Sequence, residues 1–580
     1  MDYRGNYESW LNSDFFDKNT HNELLSIKEN DSEIKERFHK ELEFGTGGLR
    51  GIIGAGTNRI NIYTIRKATL GFANYLKKQD LGGGTELGVL IANDSRRFSK
   101  EFAEEAALVL CANGVKAYVF ESLRPTPELS FGVRHLKLAG GIVITASHNP
   151  PEYNGYKVYG ADGGQVPFPK DMEIIDEVNK IADFSAINVA DKAEAVASGI
   201  YTIVGKDVDE AYYGAVLAQS VNPSAIGKNG KQMSIVYTPI HGTGNIPVKE
   251  VLKRAGFDNV HVVAEQAEPD SDFTTVGYPN PEDPAVFKLA LELAKKKGAD
   301  IVIGTDPDAD RIGSMVKNNH GEFVPLTGNM IGVLLTEYML SGLKASEKLP
   351  KDGVIISTIV STNLTRTIAE SYDIEYAEVL TGFKYIGEKI KAMENGKGNY
   401  IFGFEESYGF LAGTYSRDKD AVSAAFLICE MAATYAERGM SLYDGLMEIY
   451  EKYGCYREKV ESVTLKGIEG GAIMKKIMDS FRAAPPTALN GKTITKIYDY
   501  EAQTLLHPQS GLIEKTVLPK SNVLYYETEG ESWMCIRPSG TEPKIKIYFG
   551  CKGSSVSESD EDLNNVAEET LELFELKKNE

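Results

Sequence analysis

Three aspartates stand at alternate positions in the segment TDPDADR (305–311), directly after a short apolar run. Alternate spacing on one short loop lets Asp306, Asp308 and Asp310 converge on a single hard divalent cation, which prefers oxygen ligands. An EF-hand loop would need Gly at its sixth position and Glu at its twelfth, where this chain has Arg311 and Lys317. The segment therefore favours a Mg²⁺ site of the kind used in phosphoryl transfer over a calcium sensor, with a solvated acidic turn as the alternative.

A serine ends a second apolar run, in GIVITASHNPPEYNGYKVYG (141–160). Ser147 is a candidate nucleophile, although a serine hydroxyl needs a base, a metal or a good phosphoryl donor beside it. The surroundings are not G-x-S-x-G, so a hydrolase elbow is not indicated. His148 is a candidate base or substrate contact. Lys157 could donate to a phosphate oxygen, or act as a general acid or base if burial lowers its pKa; a lone lysine in a loop is otherwise solvated.

Two further segments carry groups that suit hydroxyls and phosphates. FGFEESYGF (402–410) places Glu405, Glu406 and Ser407 between glycines, and carboxylates with a serine match vicinal sugar hydroxyls. RPSGTEPK (537–544) combines a guanidinium, hydroxyls and a glycine, which together can cradle a phosphate without the spacing of a Walker loop. A Gly-rich segment with Arg50, EFGTGGLRG (43–51), also resembles a phosphate loop.

The hydrophobic pattern predicts the elements that position these motifs. Strands and helices alternate in three stretches, 87–147, 233–304 and 354–404, and each stretch ends in a strand that runs into one of the polar motifs. Ligands of open α/β sheets collect at the carboxyl ends of the strands, so we expect the three motifs to form walls of one cleft. After about residue 456 the pattern changes to a meander with a closing helix over 559–577.

The sequence therefore predicts an α/β fold with three tandem βαβ-type mixed-sheet domains, followed by a C-terminal α+β domain. We expect the four domains to surround a central cleft. The predicted boundaries are 1–205 for the serine loop, 206–322 for the metal-binding loop, 323–455 for the sugar-binding loop and 456–580 for the phosphate-binding loop.

Composition narrows the class of partner. The 580 residues carry a formal net charge of −20, and the pI is near 5.1, which argues against nucleic acid or an anionic membrane as the main partner. Five dispersed cysteines without a CxxC suit a reducing compartment. The N-terminus lacks the pattern of a signal peptide, and the longest apolar run, 421–436, contains Glu430 and is too short to span a bilayer. We expect a soluble, cytoplasmic protein.

Together these motifs describe an enzyme that moves phosphate on a sugar. The chain resembles the α-D-phosphohexomutase family, and within it the phosphoglucomutases, over nearly its whole length. FGTGGLRG, TASHNPPEYNGYKVY, GTDPDADR, GFEESYG and RPSGTEPK stand in the order of the family. Because five motifs stand in the same order over four predicted domains, the probability of agreement by chance is very small.

The resemblance implies a role for each catalytic residue. It implies that Ser147 is phosphorylated in the resting enzyme. One Mg²⁺ per subunit would be held by Ser147 and the three aspartates of the metal loop. Arg311 would lie beside the active phosphate and Arg50 near the phosphoserine, while Lys157 matches the lysine of N-G-x-K.

The resemblance also implies the substrate contacts. Lys419, in SRDKDA, would reach the substrate phosphate, and the sugar loop would be formed by Glu405, Glu406 and Ser407, with Phe404 in place of the first glycine of the family's loop. The remaining contacts are a recognition loop with Thr381 and Gly382, and a cradle for the distal phosphate with Arg537, Ser539, Gly540 and Thr541.

The activity implied by the resemblance is the reversible interconversion of α-D-glucose 1-phosphate and glucose 6-phosphate, with glucose 1,6-bisphosphate as intermediate and activator. A phosphomannomutase, a phosphopentomutase, a metal-dependent sugar phosphatase with a serine nucleophile, and a non-catalytic sugar-phosphate sensor remain alternatives. The expected partners are small-molecule sugar phosphates, not nucleic acid or membrane, and the expected state is a monomer or weak dimer.

Overall fold

The computed structural model describes residues 2–44, 47–394, 396–465, 470–539 and 544–579. The chain divides into two compact units. Unit 1 contains Met1–Gly328 and Phe383–Leu442, and unit 2 contains Asn329–Gly382 and Tyr443–Glu580. Within the described ranges, no helix is both long enough and apolar enough to cross a membrane.

Unit 1 begins with three short helices, α1 (Tyr3–Leu11), α2 (Lys18–Ser26) and α3 (Asp31–Phe38). Each follows an Asp or Asn whose side chain accepts a hydrogen bond from a backbone N–H of the first turn, and this cap satisfies a donor that the helix itself cannot pair. Their apolar faces share an aromatic cluster in which Trp10 stacks on Phe16. This helical segment had no counterpart among the predicted elements.

The first sheet of unit 1 presents Ser147. Its chain segment contains, in order, β1 (Gly48–Ile52), α4 (Ile62–Leu76), β2 (Glu86–Asn93), α5 (Ser99–Ala112), β3 (Lys116–Phe120), α6 (Thr126–His135), β4 (Leu138–Ile144), β5 (Tyr153–Gly160), α7 (Lys170–Asn179), α8 (Lys192–Ala197) and β6 (Tyr201–Val204). The strand order is β1-β5-β4-β2-β3-β6, in which β4, β2, β3 and β6 are parallel, β5 is antiparallel to β4, and β1 is antiparallel to β5. Every residue of β4 is buried, as expected for a parallel strand covered on both faces.

The second sheet presents the aspartate loop. It is formed within the segment α9 (Lys206–Leu217), α10 (Pro223–Asn229), β7 (Ile235–Thr238), α11 (Asn245–Ala255), β8 (Val260–Val262), α12 (Lys288–Lys297), β9 (Ile301–Thr305), β10 (Ile312–Lys317) and β11 (Phe323–Leu326). The order is β11-β10-β9-β7-β8; β9, β7 and β8 are parallel, β10 is antiparallel to β9, and β11 is antiparallel to β10. Both sheets are therefore mixed, as predicted.

The next stretch of chain is divided between the two units. This part of unit 2 contains α13 (Gly328–Ala345), β12 (Gly353–Thr358), α14 (Leu364–Ser371) and β13 (Glu375–Val379). Strands β12 and β13 pair in parallel. In unit 1, α15 (Phe383–Glu394) precedes the antiparallel hairpin β14 (Asn399–Glu405) and β15 (Gly409–Ala412), and then the core helix α16 (Ala421–Ala436).

The rest of unit 2 confirms the predicted α+β domain. Its elements are α17 (Leu442–Tyr453), β16 (Cys455–Thr464), α18 (Gly470–Ala483), β17 (Ala488–Leu489), β18 (Lys492–Asp499), β19 (Thr504–His507), β20 (Leu512–Lys515), β21 (Leu524–Thr528), β22 (Trp533–Pro538), β23 (Lys544–Gly553) and α19 (Val556–Asn579). The antiparallel order is β16-β23-β22-β21-β18-β19-β20, and α18 and α19 pack on one core with this sheet. All five cysteines lie among the described residues, and all five are buried.

Candidate active site

Ser147 lies three residues beyond β4 in a strained backbone conformation. Its φ is +52°, in the left-handed region that costs a non-glycine residue about 1–2 kcal/mol. Two neighbouring side chains hold this turn: the Ser147 N–H donates to Thr145 Oγ1 at 2.8 Å, and Thr145 Oγ1 donates to Asp94 Oδ2 at 2.6 Å. The hydroxyl is thus presented at a fixed place, only 3% exposed.

Arg96 clamps the whole serine loop, and the sequence analysis did not identify it. Its fully buried guanidinium donates to the carbonyl oxygens of Ser147 at 2.6 Å, Pro150 at 2.8 Å and Tyr153 at 3.1 Å, and also to that of Asn149. A planar fork of five N–H donors suits several carbonyls at once. The loop therefore has its shape from side chains outside it.

Two groups orient Arg96 in turn. Asp94 lies 3.3 Å from its Nε, and the ring centroid of Phe273, from the segment between β8 and β9, lies 5.0 Å from its Cζ. The signal that could have found this clamp is the run NDSRR at the end of β2, because the carboxyl ends of neighbouring parallel strands meet at one edge of a sheet.

The three aspartates of the predicted metal loop are buried together between β9 and β10. One carboxylate oxygen from each lies within 4.8 Å of the others, and none of the three residues is more than 1% exposed. One oxygen of Asp306 is committed to the loop itself, because Oδ1 accepts the backbone N–H groups of Asp310 and Arg311 at 3.0 Å each. Ala309, with φ +50°, makes the sharp turn between them.

One oxygen of each other aspartate is committed to groups from other segments. Asp308 Oδ2 accepts hydrogen bonds from Thr126 Oγ1 and from Lys157 Nζ, both at 2.8 Å. Asp310 Oδ2 lies 3.2 Å from Lys157 Nζ and 2.9 Å from Lys419 Nζ. Thr126, at the start of α6, is a second positioning residue that the sequence analysis did not identify.

The other oxygens are arranged as a cation would need them. Among the described residues, Asp308 Oδ1 and Asp310 Oδ1 are buried and accept no hydrogen bond, although Arg311 Nε lies 3.9 Å from Asp310 Oδ1. Asp306 Oδ2 accepts the Ser147 hydroxyl at 2.8 Å. A buried carboxylate oxygen that accepts no hydrogen bond destabilises the fold, and a divalent cation would supply the missing interaction. The Asp306, Asp308 and Asp310 cluster can therefore bind a metal ion, with Ser147 Oγ beside it.

The charges in this cluster shift one another. Burial, with the charges of Asp308 and Asp310, raises the pKa of Asp306 well above its ordinary value. Burial also acts to raise the pKa of Asp310, but Lys419, Lys157 and Arg311 outweigh it, so that pKa is lowered. Large and opposite pKa shifts in neighbouring carboxyl groups are typical of functional sites.

Lys157 differs from its sequence-based description in two ways. It lies on β5 and not in a loop, and its side chain is 12% exposed. Burial acts to lower its pKa, but the charges of Asp308 and Asp310 raise the pKa above its ordinary value. The lowered pKa considered from the sequence is therefore wrong, because the two carboxylates that face this lysine lie about 150 residues away along the chain.

The predicted sugar loop forms the turn of the β14–β15 hairpin. Glu405 ends β14 and is buried, Glu406 and Ser407 are half-buried, and Tyr408 has φ +63°. Strand alternation puts the ring of Phe404 into the core, where it stacks on Phe402 and Phe410 with ring centroids 6.0 and 6.1 Å away. Phe404 is thus a core residue of β14, although it replaces a glycine of the family's loop.

The other predicted catalytic residues of unit 1 join the same cluster. His148 Nδ1 lies 3.1 Å from Ser147 Oγ, although adjacency in sequence did not require this contact. Arg311 NH1 donates to Glu282 Oε1 at 2.6 Å, so Glu282 is a further residue that the sequence analysis missed. Arg50, on the edge strand β1, donates to Asn149 of the serine loop at 3.2 Å.

The remaining predicted residues belong to unit 2. Arg537 lies near the end of β22, and the Ser539 N–H donates to the Lys544 carbonyl at 2.7 Å. Gly540 and Thr541 lie outside the described residues. Gly382 has φ +123°, and Thr381 Oγ1 is buried and has no hydrogen-bond partner in the described part of the chain. The contact of Arg537 and Ser539 with a phosphate stays a prediction.

Three family models match consecutive parts of the chain. They are the alpha/beta/alpha domains I, II and III of phosphoglucomutase/phosphomannomutase, over residues 41–184, 210–321 and 327–453. A phosphoglucomutase of Staphylococcus epidermidis is 38% identical over 519 residues, covering 89% of this chain and 92% of its own. A phosphoglucomutase of Staphylococcus aureus is 38% identical over 526 residues, covering 90% and 92%.

Solved structures share the fold at lower identity. Paramecium parafusin, a phosphoglucomutase in an open form, has a TM-score of 0.66 and 16% identity, covering 92% of this chain and 95% of its own. A phosphoglucomutase/phosphomannomutase family protein of Burkholderia thailandensis has a TM-score of 0.64 and 17% identity, covering 92% and 97%. Each matched family segment lies inside one predicted domain, and the predicted domain boundaries stay predictions.

Proposed function

Because the chain belongs to the phosphoglucomutase/phosphomannomutase family, we propose that it is a mutase that interconverts α-D-glucose 1-phosphate and glucose 6-phosphate. The observation that carries the proposal is the Ser147 hydroxyl, held 2.8 Å from Asp306 inside a buried carboxylate cluster that two lysines face. Phosphoglucomutases at 38% identity over about nine-tenths of the chain support glucose as the sugar.

In the proposed reaction, phosphorylated Ser147 gives its phosphoryl group to the free hydroxyl of the sugar monophosphate. The P–O bond to Ser147 breaks, a P–O bond to the sugar oxygen forms, and the proton of the sugar hydroxyl ends on Ser147 Oγ. The resulting glucose 1,6-bisphosphate turns over, and Ser147 recovers a phosphoryl group from the other end. Because Ser147 starts and ends phosphorylated, no net phosphate is released.

The surrounding side chains have separate tasks in this reaction. Lys157, Lys419 and Arg311 neutralise negative charge on the transferring group, which is where most catalysis of phosphoryl transfer arises. Glu405 and Ser407 bind the sugar hydroxyls in either orientation. The three aspartates would hold Mg²⁺, which would supply Lewis-acid stabilisation of phosphoryl oxygens. Arg537 and Ser539 would hold the non-reacting phosphate, as the family resemblance implies.

A coupled assay tests the proposal. The enzyme receives glucose 1-phosphate, Mg²⁺ and a trace of glucose 1,6-bisphosphate, and both glucose 6-phosphate and free phosphate are followed. We expect rapid isomerisation with almost no phosphate release. Ser147→Ala should abolish turnover because the phosphoryl acceptor is lost, whereas Ser198→Ala, on the surface at the end of α8, should not change it.

The same assay separates the alternatives. Phosphate release at a rate comparable to isomerisation would indicate a phosphatase. Faster turnover of mannose 1-phosphate or a pentose 1-phosphate would assign the chain to another mutase of the family. If glucose 1,6-bisphosphate did not phosphorylate Ser147, the result would favour a non-catalytic sugar-phosphate sensor. The cytoplasmic location and the monomeric or weakly dimeric state stay predictions.

A further inference from the structure

Strand β5 sends a second side chain to the face on which Lys157 lies. Residues i and i+2 of a strand share a face, so Tyr159 stands beside Lys157. The Tyr159 hydroxyl donates to Asp418 Oδ2 at 2.8 Å, in the segment after the sugar-loop hairpin. Tyr159 is fully buried and Asp418 is 4% exposed. The sequence analysis assigned no role to either residue.

Asp418 uses its other oxygen on the next residue of the chain. Asp418 Oδ1 accepts the backbone N–H of Lys419 at 2.9 Å and lies 3.4 Å from Lys419 Nζ. The aliphatic stem of Lys419 is packed as well, since a Cβ added to Gly409 would lie 2.4 Å from its Cδ. Backbone, stem and head of Lys419 are therefore all constrained.

This constraint sets where the ammonium group ends. Lys419 Nζ lies 2.9 Å from Asp310 Oδ2 in the candidate metal loop and 4.0 Å from Glu405 Oε1 in the candidate sugar loop. It therefore stands between the two loops that must bind the reacting phosphate and the sugar. A lysine is a point charge on a flexible stem, so its value for phosphate binding depends on such restraint.

We propose that Asp418, oriented by the Tyr159 hydroxyl, is a positioning residue that keeps the Lys419 ammonium between the metal loop and the sugar loop for the substrate phosphate; this inference rests on the proposed function. The physical reason is competition. Asp418 is itself an anion within reach of Lys419, and the Tyr159 hydroxyl occupies one of its oxygens and fixes its orientation. Without that hydroxyl Asp418 Oδ2 loses its donor, so the carboxylate can turn toward Lys419 Nζ and draw the ammonium away.

The test compares two buried tyrosines of the same strand. Tyr159→Phe removes only the hydroxyl that holds Asp418. Tyr156→Phe is the matched control, because Tyr156 is equally buried and its hydroxyl accepts a hydrogen bond from Thr69, away from the charged cluster. We expect Tyr159→Phe to raise the KM for glucose 1-phosphate about five- to tenfold with kcat changed less than threefold, and Tyr156→Phe to change neither by more than twofold.

Two further measurements distinguish positioning from support of the fold. Mg²⁺ affinity, from the shift of Tm with Mg²⁺ concentration, should be equal in Tyr159→Phe and the wild type. In a Lys419→Met background, Tyr159→Phe should add nothing, because the group it positions is gone. If Tyr159→Phe does not fold, Asp418→Asn replaces it, with the same expected rise in KM and the same loss of effect in Lys419→Met.

Specific results would overturn the inference. An unchanged KM in Tyr159→Phe, a parallel loss of Mg²⁺ affinity, or a full additional effect in the Lys419→Met background would each show that the pair does not act through Lys419. The wild type and Tyr156→Phe are assayed in parallel. An inactive wild type would therefore refute the proposed function, whereas an active wild type with an unaffected Tyr159→Phe would refute only this inference.

Discussion

At the scale of single residues, the Ser147 hydroxyl, the proposed phosphoryl acceptor, depends on two neighbouring side chains for its position. Ser147 keeps a left-handed conformation because Thr145 holds its N–H and Arg96 holds its carbonyl oxygen. Strain of this kind persists only where the surroundings over-determine it, and it concentrates at functional sites. The position of Ser147 Oγ against the aspartates is therefore a property of Arg96 as much as of Ser147.

Arg96→Lys tests this dependence. Lysine keeps the charge but loses the planar fork, so it leaves buried carbonyl oxygens of the serine loop without donors. We expect kcat to fall roughly 100-fold, since a displacement of about 1 Å at a reacting group costs that much. The measurement is the coupled mutase assay, together with phosphorylation of Ser147 by glucose 1,6-bisphosphate.

The control for Arg96→Lys is Arg97→Lys. Arg97 is the next residue, but its side chain is 51% exposed and pairs with Asp272 at the surface. We expect its replacement to change kcat less than threefold, because surface ion pairs contribute about 0–1 kcal/mol. Equal losses in the two variants would contradict the role of Arg96.

At the scale of elements, three strands of unit 1 deliver their loops in the same way. β4, β9 and β14 each end a few residues before a non-glycine residue in the left-handed region: Ser147, Ala309 and Tyr408. These turns stop each strand abruptly, and the polar side chains therefore lie at the strand ends and not along the sheet. The Tyr408 carbonyl accepts the Ile312 N–H at 3.1 Å, which ties the sugar-loop hairpin to the start of β10.

Gly409→Ala tests how closely the hairpin packs on Lys419. An added Cβ would lie 2.4 Å from Lys419 Cδ and 3.1 Å from Glu405 Cγ, so one of these side chains must move. We expect kcat/KM to fall at least tenfold while far-UV circular dichroism stays unchanged. Gly214→Ala, in α9 with no atom within 4 Å of the added Cβ, is the control and should keep full activity. Full activity in Gly409→Ala would show that Lys419 is not confined by the hairpin.

At the scale of the whole molecule, the two compact units do not coincide with the consecutive family segments along the chain. The third matched family segment, 327–453, contributes residues to both compact units. All three aspartates, Ser147 and the sugar-loop carboxylates lie in unit 1, whereas Arg537 and Ser539 lie in unit 2. Unit 2 also contains a half-buried acid, Glu458 on β16, and we expect this acid to give unit 2 a pH dependence of its own.

Burial raises the pKa of Glu458 from 4.5 to about 7, despite the opposing Arg457 charge and a hydrogen bond from Asn329 at 3.2 Å. A carboxyl group whose pKa is raised in the folded state stabilises the fold fully below pH 4.5. That contribution is lost as the pH rises to about 7, and it amounts to up to about 3 kcal/mol. Protection of the β16 amides from hydrogen exchange should therefore fall between pH 5 and pH 7 relative to Glu458→Gln.

Glu461→Gln, on the same strand and paired with Lys459, is the control and should follow the wild type. If the wild type and Glu458→Gln show the same pH course, Glu458 does not titrate in this range.

The sequence by itself determined the motifs, their order and most of the strands and helices that carry them. The predicted strand over 87–94 is β2 (Glu86–Asn93), and the helix over 559–577 is α19 (Val556–Asn579). Apolar periodicity and glycine breaks are local signals, so they can be read without the fold. For the same reason Asp306, Asp308 and Asp310 were identifiable as a cluster, because they share one loop.

Only the tertiary structure decided which groups act on these motifs. Thr126 and Asp308 are 182 residues apart, and Tyr159 and Asp418 are 259 apart, yet each pair is joined by a hydrogen bond of 2.8 Å. Such contacts decide the direction in which the Lys157 pKa shifts and the hydrogen bonds of Arg96 to the serine loop. They also decide which aspartate oxygens accept hydrogen bonds and which do not. The physical reason is that charge and hydrogen-bond interactions depend on distance in space, which spacing along the chain does not reveal.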